Sequence, residues 1–429
     1  MMHIDTTTTR PSAARLPRRS PGLFPGRPPR RFPRAALLAT ALTLGLSSLF
    51  AAPGDVISLD LERTMRPADI DAFIAKLFAG AEAPAAAYAV DIYMMKFESR
   101  YPGGDAAVAL TQLFIPRFGD EPESVRPLYA FGPGSTGLTD GCRPSREHVL
   151  GIHWGYYRAH TLAHAGQGVI GVMPDYLGFG DPERDQYYMV AEAEAAVMLD
   201  AIRAARAVLK RGGFPGVSDT GNFVAGFSQG GHAAFAAADF RAAYAPEIRL
   251  DGVIGYGPSA DLEALFREFP DVAPLILYTF RNLYGAAEVD PSLALADRFA
   301  GTLDHDVTRQ CIGGIQSYYP IDPKKLFNPA FAKSLLEGSL AEEYPGIHKA
   351  LEANRTGLAG HGVPVMICQG TDDIVVYGGT QKAFAEALEK AGSAVDLVVY
   401  ERVRHDTRQA SFYDVEAWMK ASIGARSGL

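Results

Sequence analysis

The chain has 429 residues, of which 48% are apolar and 21% are charged, the profile of a soluble globular protein with a large core. Its formal net charge is −8, but residues 1–52 contribute +7 and the remainder contributes −15. Such an acidic body argues against nucleic acid and anionic membrane surfaces as partners.

The first 52 residues are predicted to be a signal or targeting segment. An Arg- and Pro-rich stretch precedes an apolar run that extends from Ala35 to about Ala52. Small residues at its end suggest cleavage nearby, although Phe50 and Pro53 make a poor cleavage site, so an uncleaved signal anchor is the alternative. We expect an exported protein, secreted or periplasmic, with no stable membrane span in the mature chain.

Secondary structure is predicted as a series of short strands and helices after a helical lead-in. The lead-in covers residues 53–85, with a helix that begins at Pro67. Two alternating apolar runs follow, joined by the hairpin Gly103-Gly104-Asp105. The predicted strands are 88–97, 107–115, 128–131, 168–173, 223–226, 252–256, 363–368 and 396–400. The predicted helices among them are 154–165, 189–210, 230–243, 380–391 and 409–423.

This order of elements predicts an α/β-hydrolase fold. Short apolar strands that alternate with amphipathic helices are typical of a mostly parallel sheet with helices on both faces. The alternation stops between about Asp261 and Leu358, where the sequence is helical and loop-like. We predict an inserted helical cap here, over the carboxyl edge of the sheet. The predicted domains are therefore a core in two parts, 53–260 and 359–429, and a cap of residues 261–358.

One serine lies at a predicted strand-to-helix turn, in Gly226-Phe227-Ser228-Gln229-Gly230-Gly231. The pattern G-x-S-x-G in this position is the nucleophile elbow, in which the serine hydroxyl is exposed on a tight turn. The flanking glycines let neighbouring backbone approach without a Cβ clash. A glycine-rich turn without chemistry is the alternative, but the strand and helix on either side favour Ser228 as a nucleophile.

A general base and an orienting acid are expected after later strands, because this fold uses the chain order Ser, acid, His. Asp373 has the spacing of the acid turn, and its neighbour Asp372 is the alternative acid. His405 follows the last predicted strand and is the only histidine after Asp373. We therefore predict a catalytic triad of Ser228, Asp373 and His405.

The oxyanion of an acyl-transfer reaction needs two backbone N–H donors. The first is predicted to be the amide of Gln229, directly after the nucleophile. The second is expected in the glycine-rich loop of residues 131–137, where Ser135 is the candidate and Thr136 the alternative. Pro133 in this loop has no N–H to donate.

Metal and cofactor sites are not predicted. His160 and His164 have an i, i+4 spacing but lack the glutamate of H-E-x-x-H, so an amphipathic helix face explains them better. No dinucleotide- or phosphate-binding loop is recognisable. We assign Asp175-Tyr176 to a structural turn rather than a pocket wall, and His232 to packing or capping.

The chain resembles the secretory lipase family of α/β-hydrolases, which includes the fungal lipase A-like enzymes and their bacterial relatives. The resemblance covers most of residues 85–420. It rests on Pro133-Gly134-Ser135-Thr136-Gly137, Cys142-Arg143-Pro144-Ser145, Pro174-Asp175-Tyr176-Leu177-Gly178-Phe179-Gly180 and Gly226-Phe227-Ser228-Gln229-Gly230-Gly231. It implies a Ser-Asp-His esterase without a cofactor, which acts on acylglycerols or simpler esters beneath a helical cap. Many bacterial members have His-Gly where this chain has Pro133-Gly134.

The three cysteines suggest one disulfide. Cys368 belongs to a buried-strand pattern, whereas Cys142 and Cys311 lie in polar or loop-like sequence. In an exported chain two such cysteines often pair. Members of the resembling family also tie their caps down at this position, so we expect a bond between Cys142 and Cys311.

These predictions favour an exported serine carboxylic-ester hydrolase that acts on a small-molecule or lipid ester through an acyl-enzyme. The alternative is a capped serine peptidase of the same fold, in which Glu263, Glu268 or Glu288 would hold a peptide terminus. A non-catalytic binding protein on this fold is a third hypothesis, against which the complete triad argues. Aromatic cap segments, 266–269 and 275–284 among them, are expected either to line an apolar acyl pocket or only to attach the cap.

Overall fold

A nine-stranded sheet forms the centre of the part of the chain that the computed structural model describes, residues 52–119, 126–147, 154–211 and 221–427. The predicted targeting segment lies outside these residues, except for Ala52. The strands in chain order are β1 (Val56–Met65), β2 (Val90–Arg100), β3 (Ala106–Pro116), β4 (Leu128–Gly132), β5 (Ile170–Pro174), β6 (Asn222–Phe227), β7 (Gly252–Tyr256), β8 (Val365–Gly370) and β9 (Val395–Tyr400).

The strand order across the sheet is β1-β2-β3-β5-β4-β6-β7-β8-β9. Neighbours from β5 to β9 run parallel, whereas β1, β2 and β3 pair antiparallel and β3 also pairs antiparallel with β5. The predicted α/β-hydrolase sheet, mostly parallel with an antiparallel start, is therefore confirmed.

The predicted helical lead-in is wrong for residues 56–65, which form the edge strand β1. The sequence Val56-Ile57-Ser58-Leu59-Asp60-Leu61 alternates with a period of two, which suits a strand and not a helix. β1 pairs with β2 in a register that places Leu59 opposite Met95. Its apolar residues are partly exposed at the sheet edge, so the segment lacks the burial that marks the central strands.

Helices cover both faces of the sheet. In chain order they are α1 (Pro67–Ile74), α2 (Tyr157–Gly166), α3 (Ala191–Arg211), α4 (Gln229–Tyr244), α5 (Leu262–Glu268), α6 (Ala273–Tyr284), α7 (Pro291–Ala294), α8 (Asp297–Ala300), α9 (Leu303–Thr308), α10 (Ile312–Tyr318), α11 (Pro323–Leu326), α12 (Pro329–Glu337), α13 (Leu340–Glu343), α14 (Pro345–Ala353), α15 (Gly378–Lys390) and α16 (Phe412–Ser427).

Two apolar clusters lie on opposite sides of the sheet. Phe223 and Ala225 of β6 pack in the cluster that contains α1, α2 and α16. Val224, between them, packs in the cluster that contains α3, α4 and α15. Because successive strand side chains point to opposite faces, each apolar strand contributes to both clusters. None of the helices in the described residues is long and apolar enough to cross a bilayer.

The helical insertion comprises α5 to α14, which follow β7 and precede β8. A disulfide between Cys142 and Cys311 joins it to the loop after β4. Beside this bond, the amide of Ile312 donates a hydrogen bond to the carbonyl of Thr136 at 2.8 Å. The insertion is thus fixed to the loop in which the second oxyanion donor is predicted. The exact domain boundaries at residues 261 and 358 stay predictions.

Candidate active site

Ser228 lies on the turn between β6 and α4, with backbone dihedrals of φ 55° and ψ −112°. A non-glycine residue with positive φ costs about 1–3 kcal/mol, and such strain persists only where the surroundings impose it. The N–H of Ser228 donates to the carbonyl of Tyr256 at 3.0 Å, and the Ser228 carbonyl accepts from the amide of Gly231 at 2.9 Å. These contacts hold the strained turn of a nucleophile elbow.

The two glycines of the G-x-S-x-G pattern are required by close backbone packing. A Cβ at Gly226 would lie 1.9 Å from the carbonyl oxygen of Gly230. A Cβ at Gly230 would lie 1.7 Å from the carbonyl oxygen of Gly132. Neither distance is sterically possible, so only glycine fits at these positions, and Gly230 lets the end of β4 approach the start of α4.

Asp373 and His405 form a hydrogen-bonded pair at the carboxyl ends of β8 and β9. The Oδ2 atom of Asp373 lies 2.9 Å from Nδ1 of His405. Its Oδ1 atom accepts hydrogen bonds from the amides of Val375 at 2.8 Å and Val376 at 3.0 Å. Because the carboxylate is an acceptor, Nδ1 carries the imidazole proton and Nε2 is left as the basic nitrogen.

Asp372, the alternative acid, lies elsewhere. Its side chain is exposed, and its carboxylate accepts a hydrogen bond from the Thr371 hydroxyl at 3.0 Å. Its amide donates to the carbonyl of Val403 at 2.9 Å, which fixes the turn after β8. The structure therefore pairs His405 with Asp373 and gives Asp372 a place on the surface of the same turn.

The imidazole of His405 packs against an aromatic ring, and one of its nitrogens, Nε2, has no hydrogen bond to the described residues. Its ring lies 4.9 Å from the ring of Phe227, the residue before the elbow serine. The Nε2 atom is buried and has no hydrogen-bond partner among the described residues. A buried polar atom without a partner is costly, so an unpaired Nε2 beside the Ser228 cavity is a signal of function.

A buried arginine fixes the loop that carries His405. Arg408 donates to the carboxylate of Asp406, with Nε at 2.8 Å, and to the carbonyl of Gly155 at 2.6 Å. Burial alone lowers the pKa of an arginine, but the adjacent Asp406 carboxylate raises the pKa of Arg408, which therefore stays charged. The guanidinium also lies 4.7 Å above the ring of Phe227.

Ser228 and His405 line one cavity of about 240 Å³. Core and cap both contribute apolar walls, and none of its described lining residues is an Asp, Glu, Lys or Arg. The core side includes Ser135, Trp154, Tyr157, Tyr188, Met189, Phe227, Ser259 and Val375, and the cap side includes Leu265, Phe269, Val272, Ile312 and Gln316. Hydroxyl, amide and imidazole groups lie among these apolar side chains, so the cavity suits an uncharged ligand with both polar and apolar parts.

Only part of the aromatic cap sequence lines this cavity. Phe269 does so. Tyr278 lies along a separate groove, where its hydroxyl donates to Asp185 Oδ2 at 2.6 Å. Phe280 is buried among apolar cap residues. The structure thus supports the pocket hypothesis for Phe269 and the attachment hypothesis for Tyr278.

Of the two predicted oxyanion residues, Ser135 lines the cavity, whereas Gln229 is buried directly after the lining residue Ser228. Gln229 is the first residue of α4, so its amide is one of the four helix N–H groups without an intrahelical acceptor. Ser135 lines the cavity, and its Oγ lies 2.6 Å from the hydroxyl of Tyr188. Thr136, the alternative, is buried with its carbonyl bonded to the cap.

Asp175 and Tyr176 both form hydrogen bonds to the segment that follows β4. Asp175 accepts hydrogen bonds from the amide of Ser145 at 2.7 Å and from its hydroxyl at 2.6 Å. Burial raises the pKa of Asp175 to about 6, although both bonds from Ser145 act in the opposite direction. The hydroxyl of Tyr176 donates to the carbonyl of Pro133 at 2.6 Å. Both side chains therefore have structural roles next to the site.

His160 and His164 on α2 belong to a buried network on the face of the sheet that α1, α2 and α16 cover. His160 Nε2 lies 2.8 Å from the hydroxyl of Tyr129, and His164 Nδ1 lies 2.6 Å from the carboxylate of Glu416. Burial lowers the pKa of His160 well below its usual range. Across the described residues, no group of three His, Cys, Asp or Glu side chains could hold a metal ion.

Comparison with known families places the chain in one of them. A family model described as secretory lipase matches residues 155–410, more than half of the chain. The chain belongs to the secretory lipase family. The resemblance predicted from the motifs is confirmed, and the secretory lipase assignment makes the chain a hydrolase of the esterase or lipase type. No curated protein sequence matched the chain.

Several solved structures share the fold of this chain. The rice cell wall degrading esterase LipA from Xanthomonas oryzae is similar with a TM-score of 0.68 and 21% identity, over 88% of this chain and 98% of LipA. A putative hydrolase from Legionella pneumophila has a TM-score of 0.68 and 16% identity, over 86% and 98%. Candida antarctica lipase A in its closed state has a TM-score of 0.58 and 17% identity, over 87% and 83%. At these identities the likeness shows the fold alone.

Several residues around the site were not singled out by the sequence. Tyr188 lines the cavity and contacts Ser135, yet it stands in a stretch without a recognisable motif. Glu194 lies behind the nucleophile helix, where its carboxylate contacts Gln229 and His232. The only sequence signal for Glu194 is a glutamate inside an alanine-rich helix, because its partners are distant in the chain.

Proposed function

We propose that this secretory lipase is an exported serine carboxylic-ester hydrolase with Ser228, His405 and Asp373 as its catalytic triad. The observation that carries the proposal is the Asp373–His405 hydrogen bond of 2.9 Å, with the free Nε2 of His405 and the strained Ser228 in one cavity. An activated serine needs a base, and the base needs an acid that fixes its tautomer.

In the proposed reaction, Nε2 of His405 accepts the proton of the Ser228 hydroxyl as Oγ attacks the ester carbonyl. The amides of Gln229 and Ser135 donate to the oxyanion of the tetrahedral intermediate. His405 then gives its proton to the leaving alcohol, which leaves an acyl group on Ser228. Water, deprotonated by Nε2 of His405, then attacks the acyl carbonyl. As the acyl–Oγ bond breaks, His405 returns this proton to Oγ, which releases the acid and restores the Ser228 hydroxyl.

The substrate class follows from the walls of the cavity. A volume of about 240 Å³ with apolar cap and core walls suits an acyl chain of modest length. The peptidase alternative has less support, because two of the three glutamates proposed to hold a peptide terminus, Glu263 and Glu268, have other partners. Glu263 contacts Arg267 at 2.7 Å and His348 at 3.0 Å, and Glu268 accepts from the amide of Tyr377 at 2.7 Å.

Export is proposed from the leader sequence together with the disulfide and the family. The Cys142–Cys311 bond suits an oxidising compartment, and the family is described as secretory. Whether the mature protein is periplasmic or extracellular is an outcome of fractionation. Protein with two bonded cysteines and one free thiol in the exported fraction is the expected result.

Purified protein assayed with p-nitrophenyl butyrate and with an aminoacyl-p-nitroanilide tests this function. Ester hydrolysis should predominate, and Ser228→Ala should lower it on the order of a thousandfold or more while circular dichroism stays unchanged. Preferred hydrolysis of the anilide would establish the peptidase instead. Binding without turnover of either substrate would leave a non-catalytic protein on a hydrolase fold.

A further inference from the structure

A buried carboxylate next to the helix that follows Ser228 contacts one residue of the cavity wall and the residue after Ser228. Glu194 of α3 is 1% exposed. Its Oε1 atom accepts a hydrogen bond from Nε2 of Gln229 at 2.8 Å and from the amide of Met189 at 3.2 Å. Gln229 follows the elbow serine, and Met189 lines the cavity. One oxygen atom thus holds both residues.

The second oxygen of the same carboxylate reaches the cap through a histidine. Oε2 of Glu194 lies 2.5 Å from Nδ1 of His232, and Nε2 of His232 lies 2.6 Å from the carbonyl oxygen of Asn354. The carbonyl can only accept, so Nε2 carries a proton. The other ring nitrogen, Nδ1, faces the carboxylate of Glu194, so a second proton lies between Nδ1 of His232 and Oε2 of Glu194. His232 is fully buried on α4 and is fixed at both nitrogens.

Asn354 fastens two cap helices to the start of α3. Its Oδ1 atom accepts from the amide of Ala191 at 3.0 Å. Its Nδ2 atom donates to the hydroxyl of Tyr284 at 2.7 Å, at the end of α6, and to the carbonyl of Ala350 at 2.9 Å, in α14. The chain of contacts Glu194–His232–Asn354 therefore connects the nucleophile helix to the cap.

Backbone strain at Met189 suggests that this arrangement is imposed. Met189 has φ 55°, the left-handed region that a residue with a side chain rarely adopts. Such a conformation persists where surrounding contacts fix it. The hydrogen bond from its amide to Glu194 is such a contact, and it keeps the Met189 side chain in the cavity wall.

We propose that Glu194, together with His232, is a positioning residue that holds Gln229 and the cap in one fixed arrangement over Ser228. The inference rests on the proposed function, because it gives the Gln229 amide the role of an oxyanion donor. A donor displaced by about 1 Å loses much of its effect on the transition state. Loss of Glu194 should therefore lower kcat while KM changes little.

Glu194→Ala and Glu194→Gln form the central comparison. Alanine removes every contact of the carboxylate. Glutamine keeps an acceptor for the amide of Met189 and for Gln229, and its amide can donate to Nδ1 of a neutral His232. With p-nitrophenyl butyrate, we expect kcat per active site, titrated with a fluorophosphonate, to fall about 10- to 100-fold in Glu194→Ala. In Glu194→Gln it should stay within about fivefold of wild type, and KM should change less than kcat in both.

Glu416→Ala is the matched control. Glu416 forms a similarly buried pair with His164 at 2.6 Å, on the opposite face of the sheet and away from the cavity. Its loss should lower stability as much as the loss of Glu194 but leave kcat per titrated site unchanged. A merely structural role for Glu194 predicts the same behaviour in both alanine variants.

Gln229→Leu keeps the inference testable if Glu194→Ala does not fold, because it removes only the bond between Gln229 and Glu194. We expect kcat per titrated site to fall about tenfold. The inference is overturned if kcat of the folded Glu194→Ala or Gln229→Leu protein matches the control, or if Glu194→Gln is as slow as Glu194→Ala. Wild-type protein without ester hydrolysis would instead refute the proposed function, so the two failures are distinguishable.

Discussion

The carboxyl edge of the sheet and the helical cap meet at the same cavity, but different kinds of contact hold them in place. At the sheet edge, Ser228, Asp373 and His405 each follow directly after a strand, and their positions depend on short loops. The cap is held by contacts between residues far apart in the chain. Examples are the Cys142–Cys311 bond, with a separation of 169 residues, and the contact between Tyr278 and Asp185.

Because of this difference, the sheet edge should determine the chemistry and the cap should determine the substrate selectivity. The geometry of strand ends is local, so the proposed nucleophile, base and acid lie at one edge once the sheet has formed. The shape of the cavity also requires cap residues such as Phe269 and Ile312, whose placement depends on long-range attachments. Substitutions at the sheet edge should therefore stop turnover, whereas substitutions in the cap should change stability and substrate preference.

The largest expected effect concerns the sheet edge. His405→Ala and Asp373→Asn should each lower kcat/KM on the order of a thousandfold or more, and the double variant should be no slower than the singles. Asp372→Asn is the matched control, since Asp372 lies exposed on the same turn. The assay is p-nitrophenyl butyrate hydrolysis. A slow Asp372→Asn beside an active Asp373→Asn would show that the acid has been assigned to the wrong residue.

The next effect concerns the attachment of the cap. Replacement of both Cys142 and Cys311 by serine removes a cross-link that constrains the unfolded chain, and should lower the free energy of unfolding by about 2–5 kcal/mol. Urea denaturation of the oxidised and double-variant proteins measures the difference. Cys368→Ser serves as the control cysteine, because Cys368 is buried and free. Equal stability of wild type and double variant would mean that the cap is held by its other contacts alone.

A smaller effect is expected inside the cap, at Asp271. Its carboxyl is fully buried without a side-chain partner among the described residues, and burial raises its pKa from 3.8 to about 7 against the opposing effect of the Val272 amide. Between these values the folded state holds a proton that the unfolded state has lost, so stability falls as the pH rises from about 4 to about 7.

Asp271→Asn removes this ionisable group, and should stabilise the protein on the order of 2 kcal/mol at pH 8 and much less at pH 4.5. Urea unfolding at both pH values measures the gain. A gain of the same size at both would show that the buried carboxyl does not titrate in this range. Ser228-dependent turnover at the sheet edge provides a check that the variant remains folded.

The smallest effect concerns selectivity. Phe269→Ala enlarges a cavity wall, whereas Tyr278→Ala removes a contact outside the cavity. The ratio of octanoate to acetate ester turnover should change about 3- to 10-fold for Phe269→Ala and stay flat for Tyr278→Ala. Tyr278→Ala should instead lower stability. A flat ratio for Phe269→Ala together with a shifted ratio for Tyr278→Ala would reverse the assignment of these two aromatic residues.

The sequence signals for the sheet edge are local. The motif around Ser228 and the strand-end positions of Asp373 and His405 depend on neighbouring residues, and the structure brings Asp373 and His405 together. The α/β-hydrolase fold and its helical insertion are confirmed for the same reason, since each helix and strand has its own periodicity.

The remainder of the molecule depends on contacts that no short segment encodes. β1 escaped prediction because its apolar residues, such as Ile57 and Leu61, are exposed on an edge strand beside a predicted helix. The proposed role of Glu194 depends on partners in α4, and the sequence does not reveal that α4 lies beside α3. Tyr278 was expected either to line an acyl pocket or only to attach the cap, and its hydroxyl donates to Asp185 in a distant loop.

The central claim is that Ser228 is the nucleophile. Incubation of the purified protein with a fluorophosphonate, followed by proteolysis and mass spectrometry, tests it directly. The account predicts one phosphonyl group per chain, on the peptide that contains Ser228, and no labelling of Ser228→Ala. Labelling should also be greatly slowed in His405→Ala, because the hydroxyl then has no base. A label on another residue at the same rate, or full labelling of Ser228→Ala, would contradict the account.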